Sequence, residues 1–268
     1  MKRLLVFLAG LIYSAVSFAA APSFTSIDGS DLEKIVGDFT SNFAFTSVSP
    51  ASSLGTVFGV EVGVLAGLSQ TPGVNDLAKQ VDPNADIAGI PHLNLLAAVS
   101  VPMGITGEIN YFPSMDSGDF NMSNLGLAVK WTMTDSILSL PLDLALRLHY
   151  TNSELKFSQT VNSVATDVEY ASTSYGLTAV ASRSFVVIEP YAGLGFISAS
   201  GDVSLTNALA VADFFDPSLT SGTSASASKS GMQYFVGAQL NLLLFRLAAE
   251  VGQVLDSTKY TAKLSFKF

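Results

Sequence analysis

Tyr260-Thr261-Ala262-Lys263-Leu264-Ser265-Phe266-Lys267-Phe268 closes the chain. Its apolar members, Tyr260, Ala262, Leu264, Phe266 and Phe268, take every second position, with Thr261, Lys263, Ser265 and Lys267 between them. Side chains of a β-strand alternate between two faces, so this stretch predicts a strand with one apolar and one polar face. Phe58, Val60, Val62, Val64 and Ala66 repeat the pattern against Gly59, Glu61, Gly63, Leu65 and Gly67. Leu125, Leu127, Val129, Trp131 and Met133 do so again, as do Leu142, Leu144, Leu146, Leu148 and Tyr150. Ten such segments can be placed, at 56–68, 92–101, 104–112, 121–134, 140–152, 166–182, 185–199, 229–241, 244–255 and 258–268.

Composition first looks at odds with any soluble fold. The 268 residues are 49% hydrophobic and 13% charged, with mean hydropathy +0.43. Globular proteins carry about a quarter charged residues, nearly twice this share. Such apolar content excludes disorder, and the lack of cysteine excludes disulfide scaffolds and thiolate metal sites. After the first residues no apolar run approaches the length of a spanning helix. The strongest, Leu240 to Val251, is interrupted by Asn241, Arg246 and Glu250. Alternation reconciles these facts, because a barrel spreads its lipid-facing residues over every second position.

Lys2 and Arg3 precede an apolar run from Leu4 to Val16, which ends at Ser17-Phe18-Ala19-Ala20. A basic start, a short apolar stretch and small residues at the cut describe a secretory signal peptide over residues 1–19. Cleavage after Ala19 removes two of the 13 basic residues and none of the 22 acids, leaving a net charge of −11. A chain this acidic is expected to have no nucleic-acid partner. Residues 20–55 then form an N-terminal segment, and 56–268 the barrel.

Loop lengths, which played no part in placing the strands, alternate. Short connections at Pro102-Met103, Asp135-Ser136, Arg183-Ser184 and Leu242-Leu243 fall at one end of an up-and-down chain. The longer ones, at 69–91, 113–120, 153–165 and 200–228, fall at the other. Short periplasmic turns and longer outer loops are the mark of transmembrane barrels. The expected fold is therefore all-β: a single antiparallel up-and-down transmembrane β-barrel of about ten strands, with eight to twelve compatible, and a short N-terminal helix.

With its signal segment and its alternating last strand ending on an aromatic, the chain resembles Gram-negative outer-membrane β-barrel proteins. The opening Asp31-Leu32-Glu33-Lys34-Ile35-Val36-Gly37-Asp38-Phe39 also looks like the start of an uncharacterised barrel family. The resemblance implies a cell outer membrane location, lipid around the barrel, and recognition of Tyr260, Leu264, Phe266 and Phe268 by the barrel-assembly machinery. It implies no catalytic residues. A monomer is the default expectation.

Residues 28–45 read as a helix. Asp28 or Ser30 can cap it, and Leu32, Ile35, Val36 and Phe39 share one face. It is expected as an amphipathic helix against the periplasmic mouth, with a plug inside the lumen as the alternative. The run Ser218 to Ser230, rich in Ser, Gly, Thr and Ala, reads as mobile low-complexity chain.

If the apolar face meets lipid, the lumen receives Glu61, Glu108, Asp143, Glu189 and Glu250 against Lys130, Arg147, Arg246 and Lys263, with His149 beside them. The near balance of signs, in a cylinder barely wider than an eight-stranded one, predicts ion pairs filling the lumen. A structural or surface role is thus the first expectation. A narrow passive pore, or a hydrophobic small-solute transporter with the helix as plug, is the alternative. An enzyme or adhesin ranks lower. Only His92 and His149 are available as bases, and no Gly-x-Ser-x-Gly element occurs. No cofactor or metal is expected. Asp82-Pro83-Asn84-Ala85-Asp86 offers oxygens without the spacing of a calcium loop.

Overall fold

The computed structural model describes residues 27–55, 57–81, 83–84, 86–87, 89–116, 120–161, 164–206 and 223–268. The signal peptide expected over 1–19 lies outside them, as do Asp82 and Ala85 of the 82–86 turn. Ten antiparallel strands close into one barrel in sequence order. They are β1 (Gly59–Ser69), β2 (Ile90–Val101), β3 (Ile105–Asp116), β4 (Phe120–Thr132), β5 (Asp143–Val161), β6 (Val164–Ser182), β7 (Ile188–Leu205), β8 (Ser224–Leu242), β9 (Phe245–Val254) and β10 (Ser257–Lys267). The seam joins first to last, from Glu61 opposite Lys267 to Ser69 opposite Lys259. Val60 and Phe268 exchange both backbone hydrogen bonds beyond it, at 3.0 and 2.9 Å, so the terminal aromatic is part of the closure.

Alternation sorts the side chains as the sequence pattern requires. Val62, Val64, Leu148, Leu177, Val236, Leu247 and Leu264 face outward and are exposed, Leu148 by 60% and Val236 by 56%. Tyr260, Leu264, Phe266 and Phe268 of the last strand join this belt. In water so continuous an apolar exterior would aggregate; in lipid it is at rest. Nine residues at a tilt of about 40° rise roughly 23 Å, close to the height of a bilayer-facing band.

Strand heights differ from the sequence reading. β5 to β8 run 19, 19, 18 and 19 residues, whereas β1, β9 and β10 have 11, 10 and 11. The stretches 113–120 and 153–165, expected as loops, are mostly strand, as is Ser224–Ser230 of the run expected to be mobile. Beyond Tyr175 and Met232 the outward positions turn polar: Thr173, Ser200, Asp202, Ser226 and Ser228. One side of the barrel thus rises above the apolar belt as a polar sheet.

Two α-helices lie among the described residues. Helix α1 (Gly29–Phe43) begins where the Asp28 carboxylate accepts the Asp31 N–H at 2.9 Å, and Asp31 pairs with Lys34 one turn on. That backbone bond, with the Ser30 hydroxyl, holds the Asp28 carboxyl below its usual range. Helix α2 (Pro72–Val81) lies in the 69–91 connection, with Pro at its first position, where no N–H is needed.

The placement of α1 corrects the expectation. It does not lie against the mouth at the short-turn end. It sits inside the barrel at the long-loop end, with Leu32, Ile35, Val36 and Phe43 packed on Leu155, Val168, Tyr170, Val203 and Leu205 of the tall wall and on Val74 and Leu77 of α2. Inward positions in the upper strands are apolar because they meet a helix, not water. The alternative reading, a plug in the lumen, describes the observed placement.

Candidate functional site

The lumen is filled by the protein's own chain. From α1 the backbone descends towards the short-turn end, and residues 40–51 form an unbroken buried run. Val48 bends it with a φ of 46°, a strained conformation for a β-branched residue, and its side chain is fixed between Leu65, Leu96 and Ala248. Among the described residues the segment pairs with no strand, so its carbonyls require donors from the wall.

Those donors are the lumen cations. Lys259 Nζ donates to the carbonyls of Asn42 at 3.0 Å and Ala44 at 2.8 Å. Lys130 Nζ donates to Pro50 at 2.9 Å and Ser52 at 3.0 Å, and Arg147 reaches the Ser49 carbonyl at 3.4 Å. Lys263 Nζ donates to Ser49 Oγ at 2.8 Å. Neutral groups add to this: Asn110 and Asn124 donate to the carbonyls of Thr46 and Phe43, Thr132 to that of Ala51, while the Ala51 and Leu54 N–H groups bond Ser182 and Ser100.

The same cations are neutralised by carboxylates. Glu61 takes Arg246 at 2.8 Å and Lys263 at 2.8 Å, and accepts the Ser265 hydroxyl at 2.6 Å. Glu108 takes Arg147 at 3.1 Å and Lys130 at 3.9 Å. Each carboxylate lies between two cations, an arrangement that offsets the cost of burying the charges. Glu189 accepts the Ser182 hydroxyl at 2.8 Å, and Glu250 that of Thr46 at 3.1 Å.

Of the ten ionisable residues expected in the lumen, Glu61, Glu108, Lys130, Arg147, His149, Glu189, Arg246, Glu250 and Lys263 point inward. Asp143 shares their inward parity, opposite the buried Ser182 of β6. It stands half-buried at the rim where β5 begins, accepting the Thr134 hydroxyl at 3.2 Å. His149 Nε2 accepts a hydrogen bond from Gln233 at 2.8 Å, and His92 bonds Thr261 at 3.0 Å. Sequence reasoning missed Lys259, although it shares the inward parity of Lys263 on the same strand. It also missed Asp38, buried where α1 meets α2: its carboxylate accepts the Val74 N–H at 2.7 Å and the Ser257 hydroxyl at 2.7 Å. Burial pushes the Asp38 carboxyl above its usual range, against these hydrogen bonds.

Between Phe45, Arg147, His149, Gln233, Glu250 and Lys259 a void of about 30 Å³ remains. That is room for about two waters.

A family model described as "Family of unknown function (DUF6588)" matches residues 1–268. The chain belongs to this family. No curated protein matches it by sequence. Among solved structures it is similar to the translocator domain of the autotransporter NalP from Neisseria meningitidis, at 8% identity and a TM-score of 0.44, over 88% of this chain and 92% of that one. It is similar also to a Pseudomonas aeruginosa FadL homologue, at 12% identity and 0.43, over 87% and 69%. A third is Ail, the attachment invasion locus protein of Yersinia pestis, at 15% and 0.36, over 79% and 97%. All three are outer-membrane β-barrels.

Proposed function

We propose that this DUF6588 protein is a non-conducting outer-membrane β-barrel with a structural or surface role, its lumen sealed by its own N-terminal segment. The observation that carries this reading is the run 40–51, buried throughout and held at its carbonyls by Lys130, Arg147 and Lys259. The lumen charge that would select solutes in a pore is used to hold a peptide. The apolar belt supplies the lipid contact, and the longer loops with the tall β5–β8 sheet face outward from the cell, as barrel loop asymmetry implies. On this reading the protein is a monomer with no catalytic site, the last strand is the segment recognised by the assembly machinery, and nucleic acid is not a partner.

Planar-bilayer recording of the full chain tests it. Silence is expected from the purified protein at all voltages. Discrete conductance steps would instead establish the narrow pore, and uptake of an apolar solute by proteoliposomes would establish the transporter in which α1 is displaced.

A further inference from the structure

The turns at the short-turn end expose large apolar side chains, beside the polar Asp135, Ser136, Arg183 and Ser184. Met103, Ile137, Val186, Leu243 and Leu244 are all exposed, Val186 by 101% and Leu243 by 102%, and Phe58 and Phe268 stand exposed beside them. Turns that meet water usually carry Asn, Asp, Gly or Ser, since these tolerate left-handed backbone and hydrogen-bond it. Here Met103, Val186 and Leu243 hold that conformation, with φ of 72°, 55° and 50°.

The other end of the barrel supplies a comparison. Leu255, in the β9–β10 turn, has the same left-handed backbone, with φ of 55°. Its side chain is only 9% exposed and packs on Ala44 and Ile197, while Asp256 takes the exposed tip. One backbone geometry therefore carries its apolar side chain inward at the long-loop end and outward at the short-turn end.

We infer that the short turns are embedded in lipid, so that the ring formed by Met103, Ile137, Val186, Leu243 and Leu244 is a second lipid-contacting surface below the barrel wall. The ring is continuous with the belt: Phe185, Val187, Leu242 and Phe245, all exposed, join the tips to the strands above. From Leu243 up to Met232 the apolar face spans eleven residue steps, roughly 28 Å at barrel tilt, so a bilayer centred on the belt reaches the tips. Arg183, exposed in the β6–β7 turn, lies 5.4 Å over the Phe185 ring. Its guanidinium is placed as a snorkelling charge is, with an apolar body below and a head for lipid phosphate. The occupant is thus the phospholipid leaflet, and this end of the sealed lumen opens into headgroups and not into a water-filled vestibule.

This inference rests on the membrane reading of the belt, and one experiment separates the two. In a Trp131→Phe background, single Trp residues are introduced as Val186→Trp, Leu243→Trp, Val236→Trp in the belt and Asp256→Trp at the opposite tip. Each full-length protein, its folding checked by heat-modifiable gel mobility, is reconstituted in phosphatidylcholine vesicles with or without chain-brominated lipid. Expected are blue-shifted emission, about twofold bromine quenching and little acrylamide quenching for Val186→Trp and Leu243→Trp, as for Val236→Trp, and the opposite for Asp256→Trp. Bromine quenching of Val236→Trp with acrylamide-accessible tips overturns the lipid ring alone. Loss of bromine quenching at Val236→Trp as well overturns the membrane reading.

Discussion

Lys259 Nζ, projecting inward from β10, lies 2.8 Å from the carbonyl oxygen of Ala44, the residue that ends α1. The ammonium bonds the helix end where unpaired carbonyls and the negative end of the dipole coincide. Lys259→Met keeps the side-chain volume and removes both donors. It is expected to loosen the segment by about 1.5–3 kcal/mol, seen as faster amide exchange over residues 40–46 in a barrel that stays heat-modifiable. Unchanged exchange would remove Lys259 from any part in sealing the lumen.

Glu61 holds Arg246 and Lys263 at once. Glu61→Gln leaves two buried cations sharing one neutral amide. Breaking such a cluster from one side costs about 3–5 kcal/mol, read as a lower urea midpoint for unfolding from lipid vesicles. Glu61→Gln with Lys263→Met is expected to recover part of the loss.

Asp38 sets a pH dependence. Burial raises its folded pKa above the unfolded value, so the folded state binds the proton more tightly. The penalty is present in full above the folded pKa and disappears as pH falls through it towards the ordinary carboxyl value of 3.8. Docking of α1 on α2 should therefore tighten over that window in the native protein and stay flat in Asp38→Asn, whose amide oxygen still accepts from Val74. Asp38→Ala strands a buried N–H and is expected to cost about 1–3 kcal/mol. Amide exchange of α1 at a series of pH values measures all three.

Val236 faces outward near the middle of the belt, and Ser200 faces outward on the tall sheet above it. Val236→Arg should cost about 2–4 kcal/mol in vesicles if the belt is lipid-facing. Ser200→Arg, in water, should stay within about 0.5 kcal/mol. Equal costs at the two sites would contradict the assigned membrane boundary.

Strand number, order and inward parity were legible because β-strands repeat every two residues, and each strand that contacts lipid on one side displays that period openly. Glu61, Glu108, Lys130 and Arg147 could be placed in the lumen from parity alone. The signal weakened where neither face is apolar throughout. Ser224 to Gly231 alternates Ser with Ala, Lys and Gly, so a strand with water outside and a helix inside looked like low-complexity chain. Leu155, Val168 and Val203 pointed the other way, with apolar residues inside, for the same reason. Helix α2 was readable in principle from Pro72, Val74, Leu77 and Ala78, but a ten-residue helix is marginal without the α1 surface that covers it.

The sequence by itself determined a closed sheet with a lipid-facing exterior and a charged interior, because period, composition and loop parity are local properties of the chain. It also marked residues 28–45 as helical, through the Asp28 cap and one apolar face. Only the tertiary structure decided where that helix goes. An amphipathic face specifies that it must be buried, not against what, and both the rim and the lumen offered apolar surface. The choice fell to the lumen because the carbonyls of the descending segment find Lys130, Arg147 and Lys259 there, while the cations find in that segment the polar partners that two carboxylates do not fully supply. Contacts more than 200 residues apart in sequence, such as Lys259 with Ala44, carry no trace in any local window.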